Sequence, residues 1–436
     1  MHQYIAAFGY FVMIFLAWLM SSHKRIFPWR VVLGGTLLQI AFAWLTISTK
    51  PGRIFFEKAG ACFNTLMDFV DEGNVRVFGE SFRDHYFAFK VLPTIIFFSA
   101  LMSVLYHIGV MQFIVRILGY VMQVTLGTSG AESLSASANI FVGQTEAPLV
   151  VRPYVARMTR SELMAVMVGG FATVAGGVMA LYVGWGIDAG HLMTASVISA
   201  PAGLLIAKVL QPEVDTPETL GVSKHAMPRE TSNLIEAATT GAADGLKLAL
   251  NVGAMLLAFF GLIAMLDYGL THGSAWAFEL LGHQDWQPLT MARILGVMFS
   301  PIAWLMGVEW KECPSVGQLL GVKMVATELV AYAQLDVMMG DGETGIAPAL
   351  SRRAIIISTY ALCGFSNFAS IGIQIGGIGA LAPERRRELT EIAFRAMLGG
   401  TLACCMTACI AGILWNPPAP SGAPANPANA QTAEAR

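Results

Sequence analysis

Apolar runs of near-membrane length, separated by short clusters of charge, set the pattern of this chain. A helix that crosses the hydrocarbon core of a bilayer needs roughly 17–25 apolar residues. Eight stretches meet or approach that length: 5–20, 31–48, 91–110, 163–186, 192–211, 247–267, 354–378 and 393–415. The pattern predicts an all-α polytopic membrane protein with eight transmembrane helices. Two more stretches, about 126–156 and about 288–334, are half apolar and half polar and contain carboxylates. They are too long for tight loops and too polar to face lipid, which predicts two re-entrant hairpins enclosed by protein. Residues 53–90 interleave Phe55, Phe56, Phe63 and Met67 with charges, the pattern of an interfacial amphipathic helix or of a solvated loop.

The two mixed stretches match each other. Arg116-Ile117-Leu118-Gly119 recurs as Arg293-Ile294-Leu295-Gly296. About thirty residues further on, a Thr-Glu pair follows in each copy, Thr145-Glu146 and Thr327-Glu328, with Leu-Val close behind. Each copy then leads to an apolar run broken by small and polar residues, Gly170–Gly177 in the first and Gly364–Ser370 in the second. Interrupted apolar segments at equivalent places in two halves point to a transporter site, because unwound backbone offers carbonyls to a cation and half-helix ends aim dipoles at a substrate. The layout is an inverted repeat with broken helices. Residues 1–90 form N-terminal scaffold helices and the interfacial helix, 91–211 the first repeat with broken helix 163–186, and 245–415 the second with broken helix 354–378. Residues 212–244 form a polar cytoplasmic connection, and 416–436 a disordered Pro/Ala-rich tail.

Composition agrees with the pattern. The 436 residues are 55% hydrophobic and 13% charged, against about 25% charge in ordinary soluble proteins. A net charge of −2 argues against nucleic acid as a partner. The apolar start at Ile5–Met20 follows no basic region and precedes no small-residue cleavage site, so it reads as a first span and not as a signal peptide. Lys24, Arg25 and Arg30 in the first loop, and Arg385-Arg386-Arg387 before the last run, mark cytoplasmic loops. With eight spans both termini then lie outside the cytoplasm, the first hairpin on the cytoplasmic side and the second on the outer side. Arg352 and Arg353 fall on the outer side, against the rule. The six cysteines lack metal spacing, and Cys404, Cys405 and Cys409 sit in an apolar run where Cys packs as a small hydrophobe.

An ionised carboxylate in a bilayer costs at least ~2.5–3.5 kcal/mol, which makes Glu146 and Glu328 functional candidates. The alternative for Glu146 is an ion pair with Arg152 or Arg157. Glu132, beside the Gly127–Gly130 turn, reads as a helix-cap partner. Gln144 and Thr145 offer the donors and acceptors that a flat heterocycle needs. Asn367 and Ser370 share a helix face and, with Glu328, suit hydroxyl groups, or else serve as helix–helix contacts. Val178 and Phe365 pack on a ligand face or are ordinary core. Asn139 and Thr173, joined by the carbonyls of Val142 and Val174, offer oxygen to a hard cation, although Asn in such a place is also a common cap. HExxH, P-loop and GxSxG signatures are absent, so the chain does not read as an enzyme.

Three segments resemble the motifs of concentrative nucleoside transporters, in the bacterial eight-helix form. They are Ser137–Pro148, Gly321-Val322-Lys323 through Glu328 to Tyr332, and Ala361–Ile373, within a likeness covering roughly 90–410. The resemblance implies import of nucleosides by symport with sodium, in a homotrimer in the plasma membrane of a bacterium (its inner membrane), with no resident cofactor. It implies base contacts at Gln144, Thr145 and Glu146, ribose contacts at Glu328, Asn367 and Ser370, and sodium ligands at Asn139, Val142, Thr173 and Val174. It also implies that the hairpins and broken helices move as a transport domain against a trimeric scaffold. Thr327-Glu328-Leu329 stands where the family has Asn-Glu-Phe, and Ser366-Asn367-Phe368-Ala369-Ser370 where it has Ala-Asn-Phe-Ser-Ser. These changes flank the ribose contacts and bear on substrate preference. Proton-coupled members tend to lose the hairpin Asn; Asn139 is kept, which favours sodium. The other readings are proton coupling, an intramembrane enzyme using Glu146 and Glu328 as an acid–base pair, and a passive channel.

Overall fold

The structure, a computed structural model, describes residues 1–80, 82, 88–89, 92–221, 231–282, 286–340 and 349–414. The tail expected at 416–436 and part of the connection 212–244 lie outside these residues. Every regular element among the described residues is helical. The first repeat comprises α4 (Leu92–His107), α5 (Val110–Leu126), α6 (Gly130–Ala138), α7 (Arg152–Val155), α8 (Arg160–Ala172), α9 (Gly176–Gly184) and α10 (Ala189–Leu210). It follows α1 (His2–Leu19), α2 (Trp29–Ala43) and α3 (Lys50–Phe78). The second comprises α11 (Leu234–Leu280), α12 (Met291–Leu305), α13 (Cys313–Val325), α14 (Glu328–Met339), α15 (Arg352–Leu362), α16 (Phe368–Leu381) and α17 (Arg386–Leu414).

Both expected helix breaks are present. α8 gives way to α9 across extended backbone at Thr173 and Ala175, and α15 to α16 across residues 363–367. Among the described residues, five helical segments are long and apolar enough to cross a membrane, or six if the bent α4–α5 pair is one span. A count of eight is therefore not reached on length and apolarity alone. The run 91–110 meets a 76° bend at Gly109, whose φ of +90° a side chain would resist. The run 354–378 is divided between α15 and α16, and 247–267 lies within the 47-residue α11.

The stretch 288–334 is not one hairpin. α12 occupies its start, and Gly307, with φ +90°, ends that helix before Pro314 opens α13. The chain turns at Ala326–Thr327, so the helix pair runs from 313 to 339. The recurring Arg-Ile-Leu-Gly belongs to the helix before each pair. Its glycine is the contact: a Cβ on Gly119 would meet Ser137 of α6 at 3.3 Å, and one on Gly296 would meet the Pro314 carbonyl of α13 at 2.7 Å.

Burial sorts the helices. The apolar windows of α8–α9, α10 and α17 are 83%, 89% and 83% buried within the chain, those of α1 and α2 only 33%. Cys404, Cys405 and Cys409 are buried core. Arg353, on the side where positive charge was unexpected, donates to the carbonyls of Gly307 and Gly412 and so closes two helix ends. Spent on helix caps, its charge is a weak guide to topology.

The base of the first hairpin is held by buried ionic contacts. Ser129 and Glu132 form a capping box on α6. Glu132 also receives the ammonium of Lys208 from α10 at 2.7 Å, with both side chains buried. Lys208 reaches Glu213 at 3.0 Å and Ser161 at 2.9 Å, and Ser129 donates to Glu162 on α8. Glu132 is thus the cap partner its position suggested.

Candidate functional site

The two breaks place the candidate residues opposite each other. In the second repeat Thr327 caps α14, so Glu328 occupies its first turn, where the helix dipole favours an anion. Asn367 caps α16: its Oδ1 accepts from the Ser370 amide at 2.8 Å, which turns its Nδ2 toward Glu328 Oε2, also at 2.8 Å. Glu328, Asn367 and Ser370 are each about 2% exposed. Behind them Lys323, fully buried, donates to the Ala361 carbonyl at 2.9 Å at the end of α15. Tyr332 donates to the Thr359 carbonyl within the second repeat and stacks on Tyr182 of α9 with ring centres 4.0 Å apart, a contact that ties one repeat to the other.

The first hairpin meets this cluster at its tip. Gln144 Nε2 donates to Ser370 Oγ at 3.1 Å, so a candidate base contact and a candidate ribose contact touch directly. Thr145 donates to Glu146 at 2.9 Å. Glu146 differs from the expectation of a buried carboxylate, because it stands exposed at the tip while Glu328 is enclosed. The suggested partner Arg157 is engaged by Glu218 at 3.0 Å. Val178 is buried in the first turn of α9, and Phe365 is half-buried in the second break.

Two of the candidate cation ligands, Asn139 and Thr173, meet at Gly169 of α8. Asn139, fully buried at the end of α6, leaves both side-chain atoms without a hydrogen-bond partner. Its Nδ2 faces Gly169, 3.3 Å from where a Cβ would stand. Thr173 donates its hydroxyl proton to the carbonyl of that same Gly169 at 3.0 Å, so its lone pairs remain to be used. Val174 is buried beside it and Val142 is half-buried. Close approach at the first break depends on Gly176, whose N–H donates to the Phe141 carbonyl at 2.9 Å and whose Cβ would stand 2.9 Å from that oxygen. An orphaned amide oxygen, a hydroxyl and unwound carbonyls form a neutral oxygen set that suits a hard monovalent cation.

One residue at the site was not singled out from the sequence. Gln374 of α16, fully buried, donates from Nε2 to Gln144 Oε1 at 3.0 Å and to the Met167 carbonyl at 3.1 Å. Its signal was the spacing of Asn367, Ser370 and Gln374, three and then four apart on one helix face. Tyr182 and Tyr332 carried no such signal, since buried aromatic residues are most often core.

Comparison with known proteins accounts for nearly the whole chain. The family profile described as Na+ dependent nucleoside transporter C-terminus matches residues 191–412. The profile described as nucleoside recognition, Gate, matches 88–187, and that of the Na+ dependent nucleoside transporter N-terminus matches 8–81. Human Solute carrier family 28 member 3 is 43% identical over 95% of this chain and 60% of its own length. Sodium/nucleoside cotransporter 1 of Rattus norvegicus is 41% identical over 95% of this chain and 64% of its own. The chain thus spans about three-fifths of the length of these curated relatives. The solved structure of CNTnw in an inward-facing substrate-bound state is 42% identical, covers 95% of this chain and 98% of its own, and superposes with a TM-score of 0.87. These matches, together with the paired breaks and helix pairs, show that the chain belongs to the concentrative nucleoside transporter family.

Proposed function

We propose that this protein is a secondary active transporter that imports nucleosides by symport with sodium across a plasma membrane. Relatives that carry sodium and nucleoside in their names support this reading. The observation that carries it is the Gln144–Ser370 hydrogen bond, by which the first hairpin closes on the second broken helix. One ligand at that seam touches both repeats. Gln144, Thr145 and Glu146 face the base, Glu328, Asn367 and Ser370 the ribose, and Val178 and Phe365 pack on the ligand's faces. A site that hydrogen-bonds hydroxyls rejects analogues lacking them, because its own buried groups are then left unpaired.

Sodium takes the oxygens of Asn139 and Thr173 with the carbonyls of Val142 and Val174; Asn139 and Gln144 face the adjacent Gly169 and Gly170 of α8. Cation binding there fixes the tip of the first hairpin and so raises substrate affinity, and linkage makes the effect mutual. The protein is multi-pass, set in a bacterial inner membrane with both termini outside, and assembles as a homotrimer. Exposed Leu257, Met265 and Tyr268 on α11 supply apolar surface for lipid or neighbouring copies.

The test is uptake of radiolabelled uridine and adenosine into proteoliposomes under an inward sodium gradient and, separately, a proton gradient. Sodium-driven accumulation, weakened at least tenfold by Glu328→Gln and shifted to higher sodium by Asn139→Ala, is expected. Accumulation under the proton gradient alone would remove the sodium assignment. Equilibration without accumulation would leave a passive channel, and recovery of chemically altered substrate would leave an enzyme.

A further inference from the structure

The direction in which Gln144 presents its amide is set by a main-chain carbonyl two side chains away. The Met167 carbonyl can only accept, so the Gln374 atom facing it, at 3.1 Å, must be the NH2. The second hydrogen of that NH2 points at Gln144, 3.0 Å away, so the facing atom of Gln144 must be its oxygen. Its own NH2 is thereby turned to Ser370 Oγ at 3.1 Å, with one hydrogen left over. The relay lies in a space kept open by Gly170, since a Cβ there would stand 2.7 Å from Gln374 Nε2 and 2.9 Å from Gln144 Cβ. Gln374 is fully buried.

Resting on the nucleoside reading above, we propose that Gln374 is a positioning residue for substrate selection. It holds Gln144 as a hydrogen-bond donor, so that the site demands an acceptor, a carbonyl oxygen, on the edge of the base that Gln144 meets. An unheld glutamine offers either its oxygen or its NH2 and tolerates either partner. In this fold the amide has one orientation, and a base lacking the acceptor leaves a buried N–H unpaired. Gln374 acts through Gln144 and need not touch the substrate.

The test measures binding by calorimetry in detergent at saturating sodium, for uridine, 2-thiouridine and 4-thiouridine, in which sulfur replaces one carbonyl oxygen by a weak acceptor. The parent protein is expected to bind one thio-analogue about tenfold more weakly than uridine, the effect of one poorly made hydrogen bond. Gln374→Met, which keeps length and removes the donor, narrows that gap to about twofold. Gln144→Met narrows it equally, and the double variant goes no further, the non-additivity of residues acting through one contact. Gln374→Glu, which keeps the size and turns a carboxylate toward the Met167 carbonyl, is the second variant should the methionine fail to fold, with the same narrowing expected. If neither thio-analogue is penalised by the parent, or if Gln374 variants weaken all three ligands alike with the gap intact, the proposal is overturned. A parent that binds uridine and fails these criteria loses only this inference; one that binds no nucleoside loses the transport reading as well.

Discussion

Gly170 shows how little room the site leaves at the level of single residues. A methyl group there would collide with both Gln374 and Gln144. Gly170→Ala is therefore expected to weaken uridine binding at least tenfold, roughly the loss of one buried hydrogen bond plus local overpacking. Gly376→Ala, on the same helix as Gln374 with nothing within 4 Å of its Cβ, should stay within about twofold of the parent. Calorimetric titration of both variants separates the two outcomes. The candidate polar residues were legible because intramembrane carboxylates and amides are costly and so stand out. Gln374 was hidden because its role depends on which carbonyl it faces across the chain. Thr-Glu at a hairpin tip was equally legible in both copies. Nothing local to the pair told that Glu146 would stand exposed and Glu328 enclosed, since that follows from which neighbouring helix covers each tip.

Among the elements, the most demanding contact is where α6, α8 and α10 meet. Lys208 and Glu132 are both buried and only 2.7 Å apart, with Glu213 and Ser161 completing the donor's needs. Removing one member of such a pair strands the other charge, at a cost of about 3–5 kcal/mol, while replacing both costs far less. Lys208→Met should lower the thermal unfolding midpoint in a fixed detergent markedly, and adding Glu132→Gln should recover part of the loss. A double variant no more stable than Lys208→Met alone would show that the pair is not coupled. At this scale the sequence was informative about helix content and about both breaks, where glycine and polar residues interrupt apolar runs. It misjudged the start of the second hairpin because α12 and α13 join through a short turn. The mixed composition of 288–334 did not show that its first half was a separate helix packed on the next by glycine contacts.

For the whole molecule, burial divides the chain into an inner group, α8, α9, α10 and α17, and outer helices such as α1 and α2 with most of their surface uncovered. Closing the inner group are contacts too tight for any side chain: a Cβ on Gly400 would stand 2.3 Å from Phe171, and one on Gly364 would stand 2.6 Å from Cys404. The Cys404 thiol also reaches the carbonyls of both Ala172 and Cys363, one at the end of each half-helix. Glu328, Asn367 and Ser370 are thus enclosed by protein, while the outer helices α1 and α2 carry the uncovered apolar surface. Bilayer thickness should then act like the viscosity of a bearing. Reconstitution in shorter or longer phosphatidylcholines is expected to change the turnover rate severalfold through the cost of hydrophobic mismatch at the outer helices. The equilibrium constant for uridine, measured in the same vesicles, should hold within about twofold. In this protein the lipid would decide how fast cargo crosses and have no voice in which cargo is chosen.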